Sequence, residues 1–259
     1  MKPRLSVVKI GGNIIENESA LQDFLKDFAA MEGYKVLVHG GGRTATRIAE
    51  HLGIPSKMVG GRRITTRETL DVIVMVYGGL TNKNVVSDLQ RYGCNAIGLS
   101  GADGNTILSD KRPVKEIDYG YAGDIRQVNS AAVKALLESD MTPVFCAITH
   151  DGKGQLLNTN ADTIASEVAI AMSEHFETSL YYCFEKKGVL RSVEDDDSVI
   201  THIDTTVYEQ LLEEHIIADG MLPKMHNCFN ALQRHVHKVC IGLPGMIAGK
   251  EQRFTTLTL

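Results

Sequence analysis

The chain has 259 residues, of which 43% are hydrophobic, so it can bury the core of one large α/β domain or of two lobes that share a sheet. A formal net charge of -5 argues against nucleic acid or an anionic membrane as a partner, because proteins that bind these are basic. No apolar run reaches the ~18 residues of a membrane span, and the five cysteines form no Cys-x-x-Cys pair. The composition therefore predicts a cytoplasmic protein with buried thiols.

Strand-like and helix-like segments alternate through the first half of the chain. The predicted elements are a strand at residues 5–10, a helix around 21–28, a strand at 36–38, a helix that ends near 52, a helix from 66 or 67 past 74, and a strand at 95–99. Residues 107–128 alternate in short pieces with glycine and charge, which predicts a small antiparallel excursion.

The alternation continues in the second half of the chain. The predicted elements are a helix from 129 or 130 to 137, a strand at 144–148, a helix at about 162–172, a strand at 180–183, helices near 207–214 and 223–235, and strands at 239–241 and 255–259. Strands separated by helices predict an α/β fold with a mostly parallel, open sheet and helices on both faces.

Two glycine turns end two neighbouring predicted strands. Gly11 and Gly12 follow the first strand, and Gly40–Gly42 follow the second, so each turn exposes backbone N–H groups that can bind an anion. Neither turn has the G-x-G-x-x-G or Walker A spacing, so a nucleotide would be bound by another scheme. By itself Lys9 could equally be an edge lysine that reaches water, but its position at the carboxyl end of its strand, where open α/β sheets bind ligands, favours a ligand-binding role.

Three further segments carry candidate ligand-binding side chains. Arg62 and Arg63 follow a glycine pair, and we interpret one as solvated and Arg63 as the residue that binds a carboxylate. Residues 158–162 place two asparagines and an aspartate before a helix, which is more than a helix cap requires. Lys224 lies in the first turn of a helix, where the dipole disfavours a cation unless it binds an anionic ligand.

Five motifs follow one another in a defined order and spacing: Val8-Lys9-Ile10-Gly11-Gly12, His39-Gly40-Gly41-Gly42, Gly61-Arg62-Arg63-Ile64-Thr65, Asn158-Thr159-Asn160-Ala161-Asp162 and Asp219-Gly220-Met221-Leu222-Pro223-Lys224. Together they resemble the amino acid kinase family over nearly the whole chain. The last two motifs are similar to those of its N-acylglutamate branch, the N-acetylglutamate kinases.

This resemblance implies a three-layer αβα sandwich with one shared sheet, in which residues 1–178 bind an acyl amino acid and residues 179–259 bind ATP and Mg²⁺. It implies transfer of phosphate from ATP to the side-chain carboxylate of an N-acylglutamate, in arginine biosynthesis. The implied catalytic residues are Lys9 and Lys224, which flank the phosphoryl group, and Asp162, which holds both lysines. The residues implied to bind substrate are Gly41, Gly42, Arg63, Asn158 and Asn160. Those implied to bind the nucleotide are Gly11, Gly12, Glu185, Gly188 and Asp219. The resemblance implies no protein ligand to a metal.

Two segments depart from the family pattern. Residues 184–188 read Phe-Glu-Lys-Lys-Gly where relatives have a Ser-Asp pair, which changes the adenosine side. Residues 99–104 are unusual near the expected acyl group and leave N-acetyl and N-succinyl substrates open.

The chain starts almost at its first strand, without the helix of hexameric, arginine-inhibited relatives, so we expect a homodimer insensitive to arginine. The alternatives are a kinase of another amino acid or carbamate, and a non-catalytic nucleotide-binding sensor.

Overall fold

A computed structural model describes residues 2–192, 194–217 and 221–259 of the chain. Its strands lie in one large sheet and two smaller ones. The strands are β1 (Arg4–Ile10), β2 (Tyr34–His39), β3 (Lys57–Val59), β4 (Arg62–Ile64), β5 (Ala96–Leu99), β6 (Ile107–Lys111), β7 (Gly123–Val128), β8 (Thr142–Cys146), β9 (Ile148–His150), β10 (Leu156–Asn158), β11 (Glu177–Cys183), β12 (His202–Ile203), β13 (Lys238–Gly242) and β14 (Thr255–Leu257).

The α-helices alternate with the strands of the large sheet. They are α1 (Gly12–Glu16), α2 (Glu18–Ala30), α3 (Gly42–His51), α4 (Arg67–Ile73), α5 (Asn82–Arg91), α6 (Ser130–Glu138), α7 (Ala161–Met172), α8 (Thr205–Glu213) and α9 (Leu222–Gln233). A π-helical segment, Val74–Thr81, joins α4 to α5. Within the described part of the chain, no helix has both the length and the apolar character that crossing a membrane requires.

The large sheet has eight strands in the order β12-β14-β13-β11-β1-β2-β8-β5. Every neighbouring pair is parallel except β13 and β14, which confirms the predicted mostly parallel sheet. The central position of β1, between β2 and β11, brings three carboxyl ends together. In the register of these strands, Lys9 lies between Val38 and Tyr182.

Helices cover both faces of this sheet, which gives the three-layer αβα architecture. Val7 and Val38 face one hydrophobic cluster, whereas their neighbours Val8 and Leu37 face the other, as the twofold alternation of a strand requires. Helices α7 and α9 contribute to the first cluster, and α2 and α5 to the second. All five cysteines are buried and free, which confirms the prediction of buried thiols.

A four-stranded sheet, in the order β10-β9-β6-β7, lies outside the large sheet, and its antiparallel β6–β7 pair confirms the predicted excursion. The prediction of one strand over residues 144–148 was wrong at its end. β8 stops at Cys146, and Ile148 begins β9 of the smaller sheet. The Ala147 carbonyl between them accepts a hydrogen bond from the Thr159 N–H (3.1 Å), so the chain leaves the large sheet at this residue.

Candidate active site

Lys9 is a buried lysine in the central strand of the large sheet. Its side chain is only 11% exposed, and its Nζ lies 2.7 Å from Asp162 Oδ1. This contact is an ion pair without hydrogen-bond alignment, because Oδ1 has no hydrogen-bond partner. An edge lysine that reaches water is therefore the wrong interpretation. Asp162 lies in the first turn of α7, where the helix dipole favours a carboxylate.

The two glycines after β1 differ in what their backbones do. The Gly11 N–H donates to the Cys183 carbonyl (3.1 Å), so it joins β1 to β11 and is not available to a ligand in this conformation. Gly12 begins α1, and a Cβ placed on it would meet no atom within 4 Å. Of this pair, only Gly12 borders open space.

The turn after β2 is closely packed. Gly41 has φ 156° and ψ 19°, and a Cβ there would lie 2.9 Å from Tyr77 Cδ1, so the position requires glycine. Gly42 is the first residue of α3. The N–H groups of this first turn have no carbonyl partner within the helix and can therefore donate to an anion.

His39, which precedes this turn, is completely buried. Its Nδ1 lies 2.7 Å from the Gly40 carbonyl oxygen, and its Nε2 lies 2.9 Å from Asn82 Nδ2. The pKa of His39 is lowered to about 4, chiefly because the ring is buried; the hydrogen bond to Gly40 opposes this shift and the charge of Lys83 adds to it. The imidazole is thus neutral near pH 7, with Nδ1 donating to Gly40 and Nε2 accepting from Asn82.

Arg63 is held in place by hydrogen bonds before any ligand arrives. Its guanidinium donates to the Gly42 carbonyl (2.9 Å), to Thr46 Oγ1 (2.8 Å) and to Ser56 Oγ. Arg63 is 8% exposed, whereas Arg62 is exposed. Arg63 is therefore built into the protein and Arg62 is exposed, while the role of Arg63 in binding a carboxylate stays a prediction.

The asparagines before α7 have different roles. Asn160 Oδ1 accepts from the Thr163 N–H (3.1 Å), so this residue is the cap of α7. Asn158 Nδ2 donates to Thr65 Oγ1 (3.0 Å), which joins β10 to the end of β4. For Asn160 the capping role is sufficient to explain its position, whereas Asn158 has no such local role.

A small cavity of about 170 Å³ brings several predicted residues together. Gly42, Arg63, Asn158 and Asn160 all line it, and so does Arg62. Residues 99–104, expected near an acyl group, are not among the described residues that line it. The cavity thus combines a buried guanidinium with a glycine turn and amide groups, which suits a small anionic ligand with a polar substituent.

A second cavity of about 620 Å³ lies beside the first and has a largely apolar lining that includes Val189 and Ile241. The predicted residues that line it are Asp162, Glu185, Gly188 and Lys224. Its size and apolar character fit a ligand as large as a nucleotide. Asp219, also predicted to bind the nucleotide, lies outside the described residues.

Lys224 was expected to be held by Asp162, and the structure places it elsewhere. Its Nζ lies 4.1 Å from the ring centroid of Phe184. Among the ion pairs of the described residues, Asp162 pairs with Lys9 and not with Lys224. Lys9 Nζ also lies over this ring, at 4.9 Å. The sequence interpretation did not single out Phe184, because it treated residues 184–188 only as a departure from the family pattern.

The two lysines after Phe184 form ion pairs with two acidic residues of a later loop. Lys186 Nζ lies 2.6 Å from Asp196, and Lys187 Nζ lies 2.5 Å from Asp197. All four side chains are at least 35% exposed, so these pairs contribute little to stability. Across residues 2–192, 194–217 and 221–259, no group of three or more His, Cys, Asp or Glu side chains is arranged to hold a metal ion.

Solved structures with the same fold include proteins of several activities. N-acetylglutamate synthase from Neisseria gonorrhoeae, complexed with coenzyme A and N-acetyl-glutamate, superposes with a TM-score of 0.82 at 20% identity, covering 98% of this chain and 59% of that one. Carbamate kinase from Giardia lamblia bound to AMP-PNP gives a TM-score of 0.69 at 12% identity, covering 99% and 98%. At these identities the similarity shows the fold alone.

Sequence comparison is more specific. An acetylglutamate kinase of Phocaeicola vulgatus is 56% identical over 247 residues, which cover 95% of this chain and 96% of that protein. An acetylglutamate kinase of Methanopyrus kandleri is 33% identical over 251 residues, covering 95% and 98%. The model of the amino acid kinase family matches residues 4–242. The chain therefore belongs to the amino acid kinase family.

Proposed function

We propose that this protein is an ATP-dependent kinase that phosphorylates the side-chain carboxylate of an N-acylglutamate, giving ADP and an acyl phosphate in arginine biosynthesis. One observation carries the proposal. The first turn of α7 borders both cavities, because Asn160 lines the small one and Asp162 the large one. An acceptor in the small cavity and a nucleotide in the large one would meet at this turn. The relatives named acetylglutamate kinase support an acylglutamate as the acceptor and ATP as the nucleotide.

The small cavity is proposed to bind the acylglutamate. Arg63 would bind the α-carboxylate, because a guanidinium fork matches the two oxygens of a carboxylate. The N–H groups of Gly41 and Gly42 would donate to the side-chain carboxylate at the dipole end of α3, and Asn158 would contact the acylated amino group. The cap residue Asn160 would shape the wall of the cavity.

Phosphoryl transfer to a carboxylate requires no general base, since an acceptor with a pKa near ~4.3 is already ionised at neutral pH. The remaining task is to bring two anions into line and to neutralise the charge on the phosphoryl oxygens. Lys9 and Lys224 would supply this charge, with Asp162 orienting Lys9 through the 2.7 Å ion pair. Gly188, which lines the large cavity, and Gly12 are proposed to lie near the nucleotide; the roles proposed for Gly11 and Asp219 have no support from the described geometry, because the Gly11 N–H already donates to Cys183 and Asp219 lies outside the described residues.

Magnesium is proposed to enter with ATP. Mg²⁺ sites in kinases combine one or two carboxylates with the phosphates of the nucleotide, and Asp162 and Glu185 are carboxylates that line the larger cavity. The sequence interpretation gave the ion no protein ligand; we propose instead that these two carboxylates would hold it together with the phosphates. When bound, the ion would neutralise phosphate charge.

The domain boundary and the assembly are also proposals. Residues 1–178 would form the acyl-amino-acid lobe and residues 179–259 the nucleotide lobe. We propose a cytoplasmic homodimer, supported by Met75 and Leu80, which are 56% and 49% exposed on the π-helical segment. Light scattering of the purified protein would show a mass of one or of two chains.

The experiment that tests the activity measures ADP release with ATP, Mg²⁺ and a panel of acceptors, with trapping of the acyl phosphate by hydroxylamine. N-acetyl- and N-succinyl-L-glutamate are the expected acceptors, and free glutamate, aspartate and carbamate are the controls. Turnover only with N-acylglutamates is the expected result. Turnover with carbamate or a free amino acid would reassign the substrate, and no turnover with any acceptor would favour a nucleotide-binding sensor.

One feature favours a longer acyl group. Arg62 lines the small cavity as a second guanidinium, which a terminal carboxylate such as that of N-succinyl-L-glutamate would neutralise. If Arg62 has this role, Arg62→Ala lowers kcat/KM for the succinyl substrate and leaves the acetyl substrate unaffected. Equal effects on both substrates would exclude Arg62 from acyl recognition.

A further inference from the structure

We propose that Phe184 is a positioning residue, whose aromatic face holds the ammonium groups of Lys9 and Lys224 at the site of phosphoryl transfer. This inference rests on the proposed kinase activity. The two Nζ atoms lie 4.9 Å and 4.1 Å from the ring centroid. Both distances are within the ~6 Å at which the quadrupole of an aromatic ring attracts a cation.

The position of the ring follows from the sheet. In the register of β1 and β11, Lys9 pairs with Tyr182, so the two side chains share one face of the sheet. Phe184 follows two residues later and extends the same face beyond the end of β11. It must therefore lie beyond Tyr182, next to the end of the Lys9 side chain.

Tyr182 fixes the plane of the ring from below. The two rings are stacked, with centroids 6.0 Å apart and an angle of 12° between their planes. Tyr182 is 4% exposed, and its hydroxyl donates to the Asp162 carbonyl oxygen (3.0 Å). Asp162 in the first turn of α7 thus makes both contacts: its backbone carbonyl holds Tyr182 of the aromatic stack, and its side-chain carboxylate holds Lys9.

The chemistry of an aromatic ring suits this place better than a second carboxylate would. A carboxylate beside Lys224 would neutralise the ammonium group, accept its hydrogen bonds and repel the incoming phosphates. The face of Phe184 attracts a cation but carries no formal charge. The ring therefore leaves the N–H donors of Lys224 available to the phosphoryl oxygens, whereas Lys9 is also ion-paired with Asp162. The ring defines the positions of both ammonium groups before the nucleotide binds.

The test weakens the ring quadrupole without changing the size of the side chain. Amber suppression would place 4-fluoro-, 3,5-difluoro- and 3,4,5-trifluorophenylalanine at residue 184. We expect kcat to fall with each added fluorine, by about tenfold in total, with the KM for acylglutamate changed less than about twofold. The same series at Phe24, a buried residue stacked on Phe28 away from the site, controls for packing.

Two substitutions extend the series. Phe184→Tyr keeps an aromatic face and should retain kcat within about threefold, whereas Phe184→Leu keeps apolar volume and should lose about tenfold or more. A kcat that stays level across the fluorinated series overturns the proposal. So does a Leu variant as active as the wild type, because packing alone would then explain the residue.

A second measurement separates this proposal from the activity itself. The ring current of Phe184 should shift the ¹³Cε and ¹Hε resonances of Lys9 and Lys224 upfield in the nucleotide-free protein, and Phe184→Leu should remove the shift. If no acceptor is turned over, the kinase proposal fails while these resonances still test the contact. Resonances at ordinary lysine positions in the wild type would overturn the positioning role whatever the activity.

Discussion

The two cavities at the carboxyl edge of the sheet are built in opposite ways. The small one is lined by polar groups that are already bonded to one another, such as Arg63 with Gly42 and Thr46, and Asn158 with Thr65. The large one has an apolar lining, and the ammonium group of Lys224 lies over an aromatic ring.

This difference separates binding from chemistry. Groups that are fixed before the ligand arrives lose little conformational entropy on binding, so the small cavity is suited to select its ligand. Among the described ion pairs Lys224 is bonded to no carboxylate, so its ammonium group can respond to charge that develops during the reaction and is suited to the transition state, while Asp162 orients Lys9 beside it. Changes in the small cavity should therefore appear in KM and stability, and changes at the lysines in kcat.

The largest expected effect is on turnover, in Lys224→Ala. Removing one charge that stabilises the transferring phosphoryl group should lower kcat by about 10²–10³, with a smaller change in either KM. Because Lys224 is exposed, the free energy of unfolding should change little. Steady-state kinetics and denaturant unfolding would measure both.

Lys134→Ala is the matched control, because Lys134 lies on α6 and is not among the site residues. In the described ion pairs, its one partner is Glu138, one turn away on the same helix. The Lys134→Ala variant should keep wild-type kinetics. An unchanged kcat in Lys224→Ala would remove this residue from the mechanism and end the distinction between the two cavities.

The second effect is on acceptor binding, in Arg63→Ala. Losing this charged hydrogen-bond donor should raise the KM for acylglutamate by about 100-fold and leave the KM for ATP nearly unchanged. Thr46 and Ser56 also lose a donor, so the free energy of unfolding should fall by about 1–3 kcal/mol. A rise confined to the KM for ATP would show that the cavities are assigned to the wrong ligands.

The third expected effect is on the free energy of unfolding, and it is measured by comparing Gly→Ala substitutions at two glycines. Gly41→Ala should lower the free energy of unfolding by about 1–3 kcal/mol, because the new methyl group overlaps Tyr77 in a backbone conformation that alanine avoids. Gly12→Ala is the matched change, since a Cβ there meets open space and alanine favours the helix. Its stability should stay equal or rise. Equal losses in both would show that the turn after β2 is not the tighter one.

The order of elements was predictable because its signals are local. The spacing of apolar residues predicted the helix that contains Phe24 and Phe28. Asn129 predicted the start of α6, and its side chain accepts a hydrogen bond from the Ala132 N–H. Helix α5 was missed, because the π-helical segment before it has no amphipathic period that separates it from α4. Likewise, residues 144–148 form a continuous apolar run, which contains no sign that the chain leaves the large sheet at Ala147.

Sequence motifs were enough to select candidate residues such as Lys9, Arg63 and Asp162, whose roles remain proposals. The candidate site was not predictable where the role depends on contacts between distant parts of the chain. Nothing near Phe184 in the sequence shows that Lys9 and Lys224 lie over its ring, since these lysines are far from it along the chain. The cap formed by Asn160, in contrast, was a local alternative that the structure favours.

The smallest expected effect concerns pH and follows from burial beside the small cavity. The pKa of His39 is about 4 in the folded protein, below its ordinary 6.5, so the unfolded chain binds more protons between these values. Stability is therefore fully present above about pH 6.5 and is lost as the pH falls towards 4. Between pH 7 and pH 5 this one group should lower the free energy of unfolding by about 2 kcal/mol.

His39→Gln tests this expectation, because glutamine cannot take up the proton. The variant is expected to be less stable at pH 7, since it alters the contacts with Gly40 and Asn82, but its stability should vary less between pH 7 and pH 5 than that of the wild type. His51→Gln, at an exposed histidine on α3, should keep the wild-type slope. If His39→Gln keeps that slope too, the pH dependence arises elsewhere, and the turn before α3 does not depend on a neutral imidazole.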